Sequence, residues 1–414
     1  MPWPMVQPSV WRLIPCAPGL VQPALSAVED LASQLGWRAL RVVVRGENSV
    51  TICWRLLVVA RSDAGAPPIS HLHCARTMHS HPARPDRRDF LRVGGFWGAA
   101  SALGVGGGAW AQGRSIRIGV TQIVSHAALD ADQKGFEAAL ASMGFKEGVN
   151  LSYLRHNAQG SVDNARSIAQ TLVRERVDLI HSIATPTTQA AVQATRSIPI
   201  VFSSITDPLG AAIVPADSGH GRATGTNVTG VSDLWPVELQ MQTYAKMAPQ
   251  ARQWGTIYNP AEANSVTHTK AMRAAARQLG LELVEVQISR SSEVGAAATS
   301  LVGKVQAFTI TSDNTTVANL EALAAVANAH RIPLFAGDVD SVGRGAVAAY
   351  GLDYFLVGYA AGKKAALVLK GTPVGTIPWG PVEKFSLVIN LRAARAQGVE
   401  IAPALLKKAD KVIE

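Results

Sequence analysis

Eight consecutive residues, Tyr258-Asn-Pro-Ala-Glu-Ala-Asn-Ser265, carry a phenol, two amides, a carboxylate and a hydroxyl. Such a set can hold a small polar ligand through hydrogen bonds and one ion pair. Tyr258, Glu262, Asn264 and Ser265 are the candidates here. Glu262 is the sharpest of them, because turn chemistry does not ask for glutamate at that position. Similar strings recur along the chain: Thr121-Gln122, Ser182 to Thr185, Ser203 to Asp207, Thr311-Ser312-Asp313-Asn314 and Gly337-Asp338. Taken singly, each reads as a helix cap, Asp207 and Asp313 most clearly. Taken together they suit a small zwitterion. Hydroxyls and helix N-terminal N–H groups would hold a carboxylate, and acids would hold an ammonium.

Other chemistries lack their residues. The first strand-to-helix turn reads Gly119-Val-Thr-Gln-Ile-Val and not G-x-G-x-x-G, and neither a G-x-x-x-x-G-K-[ST] loop nor a G-x-S-x-G elbow occurs. Six histidines follow residue 112, at 126, 156, 181, 220, 268 and 330, with no H-x-x-x-H pair, so no zinc site is expected. Asp338 and Asp340 stand too close in sequence to share acid–base work across one substrate. The reading therefore assigns no catalytic residue, no metal and no cofactor, and no enzyme activity.

The elements that position these loops follow from periodicity. From Ser115 onward short apolar runs alternate with helical patterns. The runs are Ser115–Val120, Val149–Tyr153, Val177–Ile180 and Ile198–Phe202, then, after a Trp235-Pro236 break, Gln253–Tyr258, Leu281–Val286, Ala307–Thr311, Leu334–Ala336 and Val347–Tyr350. Helices are expected between them, among others over Ala127–Met143, Val162–Arg176, Val237–Met247 and Val266–Leu279, the last capped by Asn264-Ser265, with a later one over Tyr354–Leu369. This pattern predicts parallel sheets with right-handed crossovers, and the restart after Pro236 predicts a second α/β lobe. Strand C-terminal ends in such sheets share one edge, so the polar loops of two facing lobes would line one cleft.

Composition bounds the rest. The chain has 414 residues, 48% hydrophobic and 17% charged, which is long enough for two lobes. Its net charge of +9 is uneven. Residues 1–111 hold 11 Lys and Arg against 6 Asp and Glu; the remainder holds 28 against 24, a net of +4. No basic run with interleaved aromatics follows residue 112, so nucleic acid is not an expected partner. The three cysteines, Cys16, Cys53 and Cys74, all precede residue 78, which excludes disulfides and thiolate metal sites from the main body.

Residues 84–111 read as a twin-arginine export signal. Arg87-Arg88-Asp89-Phe90-Leu91 opens it, a Gly- and Ala-rich stretch Val93–Gly108 follows, and Ala109-Trp110-Ala111 offers cleavage after Ala111. The apolar stretch is short, so the mature chain is not expected to insert stably in a membrane. Residues 1–83 read as a non-native or disordered extension, with Met78 the natural start.

From about residue 115 to 410 the chain resembles the type I periplasmic solute-binding proteins of ABC transporters, in the branch that includes tryptophan and other aromatic-amino-acid binders. The strings that carry the resemblance are Gly119-Val-Thr-Gln with Ser125-His-Ala-Ala-Leu-Asp130, Phe202-Ser-Ser-Ile-Thr-Asp-Pro208 and Asn227-Val-Thr-Gly230. Tyr258 to Ser265, Ser312-Asp-Asn-Thr315, Pro333-Leu-Phe-Ala-Gly-Asp338 and Gly351-Leu-Asp-Tyr354 complete the set. The resemblance implies two Rossmann-like lobes with parallel sheets joined by a hinge. The first lobe would hold residues 112–234 and 352–376, the second 235–351 and 377–414. It implies Gln122, Thr185, Ser204 and Thr206 on the first wall of the cleft. Tyr258, Glu262, Asn264, Ser265, Asp313, Asn314 and Asp338 would form the second. The ligand carboxylate would meet first-lobe hydroxyls and loop N–H groups, and its ammonium a second-lobe acid. The implied role is a monomeric periplasmic protein that passes a small solute to the membrane subunits of an ABC permease. A periplasmic sensor for a membrane receptor, or an α/β enzyme, are the alternatives.

Overall fold

A computed structural model describes residues 115–382 and 384–414. The extension 1–83, the export signal with Arg87 and Arg88, and the cleavage position after Ala111 lie outside the described residues. The elements begin β1 (Ile116–Gln122), α1 (Ala127–Ser142), β2 (Leu151–Asn157), α2 (Val162–Arg174), β3 (Leu179–Ile183), α3 (Thr185–Ala194), β4 (Ile200–Ile205) and β5 (Val228–Ser232). They continue with α4 (Val237–Met247), β6 (Gln253–Tyr258), α5 (Ala263–Gln278), β7 (Glu282–Gln287), α6 (Val294–Leu301), β8 (Ala307–Thr309), α7 (Asn314–Val317), α8 (Leu320–His330), β9 (Leu334–Asp338) and β10 (Ala348–Leu352). The last are α9 (Tyr354–Leu369), β11 (Gly380–Pro381), β12 (Ser386–Asn390), α10 (Leu391–Ala396), α11 (Pro403–Leu406) and β13 (Lys411–Ile413).

Two sheets result. The first runs β11-β5-β4-β3-β1-β2, all parallel. The second runs β13-β12-β10-β9-β8-β6-β7, parallel except for the antiparallel pair β10–β12. Strands β3, β4 and β5 are buried along their whole length. The apolar start of β4 was legible, whereas β5, Val228–Ser232, with Thr, Gly and Ser among its five residues, was not assigned as a strand from the sequence. Edge strand β7 is exposed at both ends and only half-buried between. The sequence reading assigns no strand after Tyr350, yet β11, β12 and β13 follow it. The runs Ser386–Asn390 and Lys411–Ile413 are too short to show a period, and their pairing partners supply what propensity does not.

The chain passes between the sheets three times: through Asp233–Pro236, at Asp353 and beyond Pro381. Gly380–Pro381 still pairs with Val231–Ser232 of the first sheet, later than the return expected at 377. Helix α9 comes back from the second sheet to pack on α1. A Cβ on Gly358 would lie 1.8 Å from the Asp132 carbonyl oxygen, and one on Gly135 2.0 Å from that of Phe355. The two helices therefore meet backbone to backbone, which only glycine permits. One apolar cluster runs from Ile118 and Phe136 through Trp235 and Tyr354 to Trp254 and Phe335, so the crossings belong to the core.

Candidate functional site

The strands of both sheets deliver their C-terminal ends to one interlobe cavity. Ser204 and Thr206 follow β4, Asp233 follows β5, Ser312 and Asn314 follow β8, and Asp338 ends β9. His126 caps the start of α1, Asn264 lies in the first turn of α5, and Trp235 and Tyr354 line the hinge side. The cavity measures about 20 Å³, room for about one water. The lobes are thus closed on each other.

Closure is held by a buried hydrogen-bond chain. His268 Nδ1 lies 2.7 Å from Ser312 Oγ, which lies 3.1 Å from Thr206 Oγ1 across the cleft. Thr206 donates to Asp233 Oδ1 at 3.1 Å, and Tyr354 donates to Asp233 Oδ2 at 2.5 Å. The Thr206 proton goes to the carboxylate, so Ser312 donates its hydroxyl proton to Thr206. Two backbone donors face the His268 ring, Ser312 N–H at Nδ1 (3.3 Å) and Trp235 N–H at Nε2 (3.4 Å), and a neutral imidazole accepts from one of them. The Trp235 ring stacks on His268 and covers Gly337, where a Cβ would lie 1.9 Å from the indole.

The cavity is rich in acceptors. Asp233 and Asp338 both line it and no Lys or Arg does. Burial pushes the Asp233 carboxyl up to about 6 against the pull of Tyr354 and Thr206, and burial also raises Asp338, which Ser341 holds through its N–H at 2.8 Å and its hydroxyl at 2.7 Å. Asn264 donates its amide N–H groups to Ser312 O and Glu262, which leaves its buried Oδ1 without a partner. Ser204 adopts φ +58°, uncommon for a residue with a side chain, and gives its hydroxyl proton to Asp132. Towards the cavity it can only accept.

His126 is the exception. It is 9% exposed, neither ring nitrogen has a partner at hydrogen-bond distance, and burial lowers its pKa to about 4 against the pull of the nearby Asn314 amide. At neutral pH it is an uncharged imidazole with one donor and one acceptor free. The N–H groups of the first α1 turn, at Ala127 to Leu129, have no intrahelical acceptor, and Ala128 and Leu129 line the cavity.

Behind Ser204 lies a second buried cluster. Ser203 donates to Asp132 at 2.8 Å, and His181 Nε2 lies 2.8 Å from Ser203, with its ring stacked on Phe136 at 3.6 Å. These are the residue types of a hydrolytic triad in the wrong order. The serine gives its proton to the aspartate, His181 Nδ1 is unpaired, and all three are fully buried. Burial pushes Asp132 up to about 7 from 3.8. Between those values the folded chain binds the proton that the unfolded chain has lost, so this carboxyl costs stability as pH rises. Asp132→Asn is therefore expected to gain on the parent as pH rises from about 4 to about 7. Thermal unfolding of both proteins across that range checks it; a constant difference would contradict it.

Of the expected wall residues, the structure brings Ser204, Thr206, Asn264, Asn314 and Asp338 to the cavity. The others do structural work or lie aside from it. Glu262 accepts from Asn264 Nδ2, from Asn314 N at 3.0 Å and Nδ2 at 2.6 Å, and from Thr315 N at 3.0 Å and Oγ1 at 2.7 Å, so both its oxygens are spent on tying α7 to α5. Asp313 caps α7 through Thr316 N at 2.5 Å and also accepts from Ser265 at 2.6 Å and Asn259 N at 2.7 Å. Tyr258 points its hydroxyl at Arg273 and Gln287, away from the cleft. Gln122 binds Val124 O and Asp130 and fixes the loop before α1. Thr185 is buried in the first turn of α3 with its hydroxyl unpaired. Helix α5 starts at Ala263, three residues before the expected Val266, so Asn264 and Ser265 are first-turn residues and not its cap. His126, Asp233, Trp235, Ser312 and Tyr354 were absent from the sequence-based set. The Ser125-His126 string and the acid at the end of Val228–Ser232 were the available signals.

Among known proteins, a family model described as ABC transporter substrate binding protein matches residues 117–413. The chain is 38% identical over 273 residues to the tyrosine-binding protein of Clostridioides difficile, covering 66% of this chain and 78% of that one. It is 30% identical, with TM-score 0.68, to the crystal structure of an ABC domain in complex with L-Trp from Streptococcus pneumonia, covering 72% of this chain and 100% of the other. It is 33% identical, with TM-score 0.54, to the ligand-free, open structure of a substrate-binding protein with adhesive properties from Clostridium difficile, covering 72% and 99%.

Proposed function

The chain belongs to the ABC transporter substrate-binding protein family, and we propose that within it this member captures a free amino acid, aromatic in side chain, and passes it to an ABC permease. The family fold, two α/β lobes hinged around a ligand cleft, is the one described above. The observation that carries the reading is the cavity's charge pattern: two carboxylates, an unpaired amide oxygen, a neutral His126 and no Lys or Arg. That surface attracts an ammonium, which would sit between Asp233 and Asp338 and reach Asn264 Oδ1. The relatives that bind tyrosine or carry L-Trp support an aromatic amino acid.

The ligand carboxylate takes the opposite end. Ser204 and Thr206, expected to bind it, have committed their protons to Asp132 and Asp233. The unpaired N–H groups at the start of α1 and the His126 imidazole are the donors that remain on the first lobe. Parting of the lobes admits the ligand, and their return adds the second set of contacts, so ligand energy drives closure. The twin-arginine stretch 84–111 supports export to the periplasm, where a monomer would meet the permease. Calorimetric titration with tyrosine, tryptophan and phenylalanine, after unfolding and refolding to remove carried-over ligand, tests the reading. Binding of at least one is expected; no heat from any would remove it.

A further inference from the structure

Asp132 ties together two parts of the first lobe that face the ligand carboxylate. It lies on α1, whose first turn offers its N–H groups to the cavity, and both its oxygens hold residues near the end of β4. Ser203 donates to Oδ1 at 2.8 Å, and Ser204 donates to Oδ2. Ser204 lines the cavity and Asp132 lies behind it, fully buried. While Asp132 carries its charge, it draws the Ser204 proton inward and leaves a bare oxygen facing the cavity. The same charge stands one hydroxyl behind the place proposed for the ligand carboxylate, and like charges repel.

Resting on the amino-acid reading above, we infer that Asp132 is a positioning residue whose protonation turns Ser204 from an acceptor into a donor for the ligand carboxylate, so that capture of the amino acid takes up a proton. A proton on Oδ2 makes that oxygen the donor to Ser204 Oγ. The Ser204 proton then turns to the cavity, where the ligand carboxylate accepts it, and the charge behind the ligand is gone. The proton comes from solvent by way of Ser204 itself when the lobes are parted. Ser203 keeps its bond to Oδ1 throughout, and His181 Nε2–H donates to Ser203 at 2.8 Å.

The surroundings favour the neutral acid. Strand β3 brings His181, which burial keeps uncharged, and the crossing after β5 brings Asp233, whose charge raises the Asp132 pKa further. Helix α9 meets Asp132 through the Gly358 backbone. Arg344, from the turn Asp340–Arg344 that also packs on α1, acts on His126 and Asp338. Burial is the main cause of the Asp132 value of about 7. An anion bound beyond Ser204 raises it again, so affinity falls as pH rises through that value. Asp233 and Asp338 have the opposite sign, because an ammonium beside them lowers their pKa and expels protons.

Calorimetric titration with tryptophan, in two buffers of different ionisation heat, counts the protons. At about pH 7.5 the parent should take up about half a proton per ligand, and its affinity should fall roughly tenfold from about pH 6.5 to about pH 8.5. Asp132→Asn keeps the shape, carries no charge at any pH and offers Ser204 an N–H in place of the acid proton. Its affinity should vary by less than about threefold over that range, with no uptake. The ligand's own groups and His126 titrate in both proteins, so the difference between the two profiles belongs to Asp132. A merely structural role would shift affinity equally at every pH. Proton release or no uptake in the parent, or equal slopes in the two proteins, would overturn the inference while leaving amino-acid capture standing. If Asp132→Asn does not fold, the sign of the parent's proton count decides. No binding of tryptophan by the parent at any pH would overturn the capture reading itself, and this inference with it.

Discussion

Asp338→Asn is expected to weaken amino-acid binding by about 2–4 kcal/mol, roughly 30- to 1,000-fold, without lowering the stability of the ligand-free protein. Removing one member of a buried charge pair leaves the other uncompensated, and that is the source of the cost. In the ligand-free protein the Arg344 charge favours the Asp338 carboxylate, but burial outweighs it. Burial already raises the Asp338 pKa, so its charge is unfavourable in the empty cleft, and an asparagine still accepts from the Ser341 N–H. Titration calorimetry and thermal unfolding read the two effects separately. Affinity within about threefold of the parent would show that the ammonium sits elsewhere. Glu262→Gln makes the control. It disturbs contacts that Asn314 and Thr315 make with the glutamate, so it should cost stability first.

Gly358→Val is expected to cost about 3 kcal/mol or more of folding stability. Its Cβ would sit 1.8 Å from the Asp132 carbonyl oxygen, a contact that no rotamer change relieves because the opposing atom is backbone. Helix α9 must move away from α1, and that movement reaches the site. Tyr354 and its bond to Asp233 lie at one end of α9, and Asp132, which holds Ser204, lies on α1. Thermal unfolding should show a lowered midpoint and the ligand response should weaken with it. A midpoint equal to the parent's would contradict the close helix crossing.

The architecture was legible because parallel strands are buried on both faces and write themselves as apolar runs, as Ile200–Phe202 does at the start of β4. The two-lobed division was legible from the restart after Trp235-Pro236. The site was legible only as a set of loops. Glu262 looked like the ligand acid because nothing local explained it; its explanation lies about fifty residues away, at Asn314 and Thr315. Asp233 drew no attention because its role depends on Thr206 and Tyr354, which only the hinge brings together. Ser204 and Thr206 were placed at the cleft, but a sequence does not say where a hydroxyl sends its proton. That direction decides whether the residue offers the ligand a donor or an acceptor. His126 belonged to a string that carried the family resemblance, and its lack of any partner is visible only once the surrounding chain is in place.

The central claim is that the cavity holds a free amino acid by its ammonium. Calorimetric titration with tryptophan and N-acetyltryptophan, on the refolded protein, tests it most directly. The two share ring and carboxylate; acetylation removes the charge at nitrogen and adds an acetyl group there, so indole-3-propionate, which lacks the ammonium and adds no bulk, is titrated alongside and is expected to fail as well. The account predicts binding of tryptophan and none detectable for the acetylated form. Equal affinity for both would contradict it, because two buried carboxylates would then be facing a group with no positive charge.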